Sequence, residues 1–409
     1  MAPAHEIVII GSSFAGLNAS HYLLRHVLPS LSDTTSTSYH ITVVSSTTHF
    51  FWSVAAPRAL ISPTLLPPCK TFHPIAPAFS SYPSESFTLL HASATALDPS
   101  TREVTIQHLQ DDSSSLSSSP ATLHYDTLIL ATGASHPSTS LWSASAGPEV
   151  TTSAFSALHA ALPRAHTILI AGGGPIGVET AGEIGSAFGK SSPSHHDQPR
   201  KQITILSGSS QLLPAAERKH FGATAEGYLH DLGVEVEHNL RVVSTSPSPP
   251  VDGAPTVLTL SDGSTRSVDV YIDATGLRPN TAFLPSELLD ARGYVRTNPD
   301  TLRVEGAGER VYALGSCASY SNGRLGDVWD AVRPLMATLE WDLTGGKTGR
   351  EGKYKKKGET LVVPVGRSKG VGVAFGWAVP SVVVWAFKGR NYMVDQAISE
   401  RDGMKLKSR

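Results

Sequence analysis

Thr167-Ile168-Leu169-Ile170-Ala171-Gly172-Gly173-Gly174-Pro175-Ile176-Gly177-Val178-Glu179-Thr180-Ala181-Gly182-Glu183 is the stretch that decides the fold of this 409-residue chain. The apolar run 167–171 predicts a buried strand, and the segment Ile176–Phe188 predicts a helix. Between them lies a G-x-G-x-x-G turn. Gly172 permits the tight turn, Gly174 lets the backbone approach a pyrophosphate, and Gly177 lets helix and strand pack closely. The helix start, where Pro175 leads into Ile176, offers the free N–H groups that follow the proline and a positive dipole end to phosphates. A glycine turn without a ligand is the bland alternative, and the strand–turn–helix context argues against it.

The same grammar occurs at the start of the chain. The strand Ile7–Ile10 leads into Gly11-Ser12-Ser13-Phe14-Ala15-Gly16 and a helical stretch, Gly16–His26. Here Ser13 stands where the close-approach glycine belongs. Its Cβ pushes a pyrophosphate outward, although its hydroxyl can donate to a phosphate oxygen. After the next strand, Ile41–Val44, an acidic residue normally holds the adenosine ribose; this chain has Ser45 or Ser46 there. Further strands are expected at Leu128–Ala131, Ile203–Leu206, Val268–Ala274 and Val311–Leu314. Strand, glycine turn and helix, repeated, predict an α/β fold with two Rossmann-like dinucleotide-binding domains.

The bulk numbers set limits around this reading. The length is enough for two or three cores. A net charge of −2 gives no electrostatic case for a nucleic-acid partner. Cys69 and Cys317 are far apart, which supports neither a disulfide framework nor a zinc site and makes a reduced compartment the default. Four Ser- and Pro-rich stretches, at 32–38, 111–120, 190–200 and 244–255, read as loops. The N-terminus shows no targeting peptide, and Ala2 excludes N-myristoylation. A cytoplasmic protein is the expectation.

Four further stretches carry a family resemblance. They are Tyr125-Asp126-Thr127-Leu128-Ile129-Leu130-Ala131-Thr132-Gly133, Asp269 through Thr275-Gly276 to Asn280, Val311-Tyr312-Ala313-Leu314-Gly315-Ser316-Cys317-Ala318, and Lys369-Gly370-Val371-Gly372 through Trp385 to Arg390. With the two turns, in this order, they resemble the apoptosis-inducing-factor-like flavoproteins. These are similar to type II NADH dehydrogenases within the glutathione-reductase superfamily. The resemblance implies an FAD domain from residues 1–135 and 265–345, an NAD(P)H domain inserted at 136–264, and a C-terminal segment at 346–409. It implies FAD and either NADH or NADPH as cofactors, hydride transfer between them, and a small-molecule electron acceptor, with a quinone the first guess.

The departures from the family are specific. Ser316 replaces the aspartate that binds the flavin's ribityl and phosphate region, so with Ser13 and Ser45 three polar FAD positions are serine. Each lost charged partner costs about 1.5–3 kcal/mol of affinity. A weakly flavin-binding interaction protein and a pathway oxidoreductase acting on a specific metabolite therefore stay open as rivals. The resemblance also implies Lys70 near the flavin and Glu179 near the nicotinamide carboxamide; a surface lysine and a helix-start glutamate are the plain alternatives. His49-Phe50-Phe51-Trp52 is expected to pack rather than bind, as are Trp329 and Asp330. No close cysteine pair supports a thiol–disulfide shuttle.

After Ile203–Leu206 the chain reads Ser207-Gly208-Ser209-Ser210. It holds no acid for a ribose 2′-OH and no adjacent arginine for a 2′-phosphate, which leaves both nicotinamide cofactors open. The apolar run Val371 to Phe387 is short for a membrane span and holds Gly372, Gly376 and Pro380, so a buried or interfacial element is expected. With the basic run 353–357, peripheral membrane contact stays open.

Overall fold

The computed structural model describes residues 4–32, 37–109, 119–190, 200–216, 218, 220–246, 255–374 and 376–406. The four Ser- and Pro-rich stretches fall largely outside them. Residues 244–246, expected in a loop, instead complete the strand Val242–Ser246, which pairs antiparallel with Thr256–Leu260.

The first sheet has seven strands. Its parallel part runs, in spatial order, Val311–Ala313, Thr127–Leu130, His5–Ile10, Tyr39–Ser45 and the first half of Phe87–Asp98. The second half of Phe87–Asp98 turns to pair antiparallel with Glu103–His108, which pairs with Ala121–His124. Side chains alternate between faces along a strand. Ile7, Ile9, Ile41, Val43 and Ile129 enter one core, while Val8, Ile10, Val44, Leu128 and Leu130 enter another on the opposite face. Both faces are covered, which is why these strands read as unbroken apolar runs.

The second sheet has four parallel strands, in the order Val234–His238, Gln202–Ser207, Thr167–Ala171 and Val270–Asp273. The last of these bonds directly to Thr167–Ala171. The second unit therefore runs to Asp273, beyond the expected boundary at 264, because its sheet needs that strand to cover the edge of Thr167–Ala171. The chain crosses between the units twice, and the crossings are tied together. Ala134–Ser135 pairs with Arg278–Pro279, and the Asn280 side chain donates to the Thr132 carbonyl at 2.9 Å and to Ser135 Oγ at 3.0 Å.

The expected apolar element at 371–387 is not one helix. It comprises the strand Lys369–Ala374, the short strand Trp377–Ala378, the helix Ser381–Val384 and a wide turn, Trp385–Gly389. Its strand Lys369–Ala374 pairs with Leu361–Val365, which lies on the helix Pro175–Phe188. Gly182 makes the approach possible, since a Cβ there would sit 2.5 Å from the Gly366 nitrogen.

Candidate functional site

The two glycine turns are built alike. Gly172 has φ 123°, and a Cβ on it would lie 2.2 Å from the Ala274 carbonyl oxygen; one on Gly177 would lie 1.8 Å from that of Gly172. At the first turn Gly11 has φ 110°, and the equivalent distances are 2.3 Å to the Ala131 oxygen and, from Gly16, 1.8 Å to the Gly11 oxygen. Backbone crowding demands glycine at all four positions. The difference between the turns lies at the helix N-cap. A Cβ on Gly174 meets nothing within 4 Å, so the space beside it is free for a ligand. Ser13 caps the helix Phe14–Tyr22 in the same extended conformation and puts a side chain into the equivalent space.

Both turns open into one cavity of about 1750 Å³. A drug-sized site is roughly 300–1000 Å³, so this volume suits more than one such ligand. Gly11, Ser13, Phe14, Ala15, Ala131, Thr132, Gly133, Gly172, Gly174, Pro175, Ile176, Glu179, Thr275, Gly276 and Ser316 all line it. Gly16, Gly177 and Gly315 stand behind the wall; a Cβ on Gly315 would press on that of Ala15 at 2.9 Å. The residues present thus fit two dinucleotides, with the glycine-clad turn the better cradle.

Two expected residues lie elsewhere. Ser45 is buried off the cavity, bonded to the Ser12 hydroxyl and donating to the Thr47 carbonyl at 2.5 Å. A short hydroxyl at this strand end turns inward where a carboxylate would reach out, and Ser46 and Thr47 line the cavity in its place. Lys70 is exposed at the end of the turn Pro68–Lys70, outside the cavity. The burial of Leu66, Thr71 and Phe72 on either side of the turn directs it to solvent.

Of the aromatic run, Phe50 and Trp52 are core residues that flank Phe14 at 5.0 and 5.4 Å, whereas His49 and Phe51 line the cavity. Trp329 and Asp330 also line it, but each is held by a neighbour: Trp329 donates to Glu400 at 2.8 Å, and Asp330 pairs with Lys357. Cys69 is exposed and Cys317 buried, both as free thiols.

The cavity's charged centre is a pair that the sequence showed only in part. Glu179, buried on the first turns of the helix Pro175–Phe188, accepts from Lys388 Nζ at 2.5 Å. Burial pushes the Glu179 carboxyl up to about 7, against the pull of the Lys388 charge. Lys388 sits on the Trp385–Gly389 turn, whose end is fastened from below. The Arg58 guanidinium donates to the Gly389 and Arg390 carbonyls, each at 2.8 Å, and forks onto buried Glu183 at 2.6 and 3.1 Å. Arg58 also stacks over the Tyr392 ring at 4.7 Å, and Trp52 donates to the Tyr392 carbonyl at 2.8 Å. Lys388 and Arg58 gave no sequence signal as site residues. The only cue was the basic flank of the apolar run.

Among the described residues no group of side chains suits a metal ion, and no helix is long and apolar enough to cross a membrane.

Comparison with known proteins agrees with this geometry. Residues 5–334 match the family described as pyridine nucleotide-disulphide oxidoreductase. The oxidoreductase phnG of Penicillium herquei is 36% identical over 402 residues, covering 95% of this chain and 93% of the relative. The solved structure of NDH2 from Plasmodium falciparum in complex with NADH has the same fold, with a TM-score of 0.74 at 14% identity over 98% of both chains. So has the sulfide:quinone oxidoreductase of Aquifex aeolicus, with a TM-score of 0.73 at 13% identity over 99% of this chain and 96% of that one. The chain belongs to the pyridine nucleotide-disulphide oxidoreductase family of FAD- and NAD(P)H-dependent oxidoreductases.

Proposed function

We propose that this protein is a FAD-dependent NAD(P)H oxidoreductase of the apoptosis-inducing-factor-like branch that delivers electrons to a quinone or similar small acceptor. The observation that carries this reading is the shared cavity: two matched nucleotide turns open into it, with Glu179 and Lys388 on its wall. A bound flavin supplies hydride acceptance from a nicotinamide and onward electron delivery.

The chain's own residues bind and orient. The N–H groups at the start of the helix Pro175–Phe188 hold a pyrophosphate beside Gly174. Glu179 offers a carboxylate oxygen to the nicotinamide carboxamide, and Lys388 fixes its direction. Arg58 and Glu183 hold the Lys388 turn against the helix. Phe14, Phe51 and Met393 line the cavity as apolar wall and keep water from the reacting centre.

An apolar acceptor is favoured by the C-terminal segment. Val383 and Phe387 line the cavity and are also exposed, next to Val382 and to Trp377 at 77% exposure. This face also supports peripheral contact with a lipid surface, from which such an acceptor would arrive.

The test is the visible absorbance of the purified protein, followed by NADH and then NADPH without oxygen. A flavin spectrum that bleaches with one of them supports the reading. A colourless protein that takes up no added FAD sinks it and favours an interaction protein, with the serines at 13, 45 and 316 as the cause.

A further inference from the structure

In doubly wound folds the adenosine ribose of a dinucleotide lies over the end of the strand beside the glycine turn. Here that strand is Gln202–Ser207, and Ser207 stands against the turn, since a Cβ on Gly173 would sit 2.5 Å from its Oγ. The Ser207 hydroxyl is committed to the Gln211 carbonyl at 2.9 Å. Neither it nor Gly208 supplies the carboxylate that would take a ribose 2′-OH.

What fills this place is an arginine from a different loop. Asn239, at φ 58°, reverses the chain after Val234–His238. Two backbone bonds then clamp that reversal to the strand end: Asn239 N–H to the Ser209 carbonyl and Leu240 N–H to that of Ser207, each 3.1 Å. The clamp lays Arg241 across Gly208, with Nη2 donating to the Gly208 carbonyl at 3.2 Å. A Cβ on Gly208 would lie 2.6 Å from Arg241 Nε, so the side chain lies here because residue 208 has none. Arg241 and Ser209 line the same cavity as the glycine turn. Among the described residues Arg241 has no carboxylate ion pair, and it lines the cavity beside the end of the strand Gln202–Ser207.

We propose that Arg241 receives the 2′-phosphate of NADPH and makes this protein NADPH-selective, with glycine at 208 as the condition for its placement. The proposal rests on the reading of the cavity as a nicotinamide dinucleotide site. A guanidinium matches a phosphate with parallel N–H donors, and a strand end without a carboxylate does not repel the phosphate charge.

The experiment is calorimetric titration of the purified protein with adenosine 2′,5′-bisphosphate and with adenosine 5′-monophosphate, which differ only by the 2′-phosphate, at low salt. The wild type binds the 2′-phosphorylated ligand at least about tenfold more tightly, a preference that shrinks as salt is added because Arg241 is exposed. Arg241→Ala brings the two ligands to parity while its affinity for the 5′-monophosphate stays, which also shows that the variant is folded. Gly208→Ala displaces the guanidinium and lowers the preference with Arg241 intact. Equal binding in the wild type, or an undiminished preference in Arg241→Ala, overturns the assignment and leaves the nucleotide site standing. Binding of neither ligand overturns the nicotinamide reading beneath it and the assignment together.

Discussion

Glu179 holds its proton more tightly in the folded protein, at about 7, than a carboxyl in the open chain, near 4.5. Between those two values the unfolded chain releases a proton that the folded one keeps. The stability this contributes is present in full below about pH 4.5 and is lost as pH rises through about 7. At 1.36 kcal/mol per pH unit the whole effect is roughly 3 kcal/mol at most. Glu179→Gln keeps the shape and cannot ionise, so denaturant unfolding at pH 5 and pH 8 should show a fall of roughly 1–3 kcal/mol in the wild type that is missing from the variant. Parallel profiles for the two proteins would mean that Glu179 is ionised throughout. Single residues were also where the sequence was hardest to read. Ser45 turned inward because a hydroxyl next to Ser12 has a partner at hand, and Lys70 faced solvent because its neighbours on either side were needed in the core. Neither outcome leaves a mark on local sequence.

At the scale of the element, a glycine turn makes two separable demands. Gly177 is required by the fold and Gly174 by the ligand, since a Cβ on the first strikes a backbone oxygen and a Cβ on the second meets open space. Gly177→Ala should destabilise the protein by several kcal/mol, on the order of 3–5, or prevent its folding. Gly174→Ala should leave the melting temperature within about 2–4 °C, a change of about 1 kcal/mol, and weaken dinucleotide binding at least about tenfold in titration. Equal damage to stability from both substitutions would refute this division. Both turns were legible in the sequence because strand, turn and helix are contiguous and each glycine answers to a neighbour close in the chain. Lys388 was not, because it meets Glu179 across 209 residues, brought there by the packing of Gly182 against Gly366 and by the hold of Arg58 and Glu183 on its turn. Arg241 was not legible for the same reason: it reaches the end of the strand Gln202–Ser207 from the loop that follows the neighbouring strand Val234–His238.

The whole molecule consists of two units joined by two crossings, and Asp273 stands where the crossings meet. It accepts from the Ser138 hydroxyl at 2.6 Å and the Thr275 hydroxyl at 2.7 Å, with His136 at 3.2 Å. Burial works to raise the Asp273 carboxyl, but these hydrogen bonds and the His136 charge win and hold it well below the usual carboxylate range. Its contribution to stability is therefore present above pH ~4, the ordinary range for an aspartate, and is lost as pH falls below it. Asp273→Asn should loosen the crossings first. Amide exchange at Ala134, Ser135 and Asn280 should quicken by about tenfold, while protection in the strands His5–Ile10 and Thr167–Ala171 holds. Uniform loss across both sheets would instead make Asp273 part of a single cooperative core. The fold class and the existence of two units were readable because each unit's signals are local, whereas the return crossing was set by which strand completes the second sheet. The cover on the helix Pro175–Phe188 carries one more implication, for a chain emerging from the ribosome. At 5–20 residues per second, Glu179 is made roughly ten to forty seconds before Lys388. Throughout that interval its carboxylate has no cation and the backbone at Gly182 has no sheet to lie against. The second unit thus finishes folding long after its own residues have been translated, and a nascent chain stalled before the Lys388 turn would display an open, partnerless groove to the quality-control machinery of the cell.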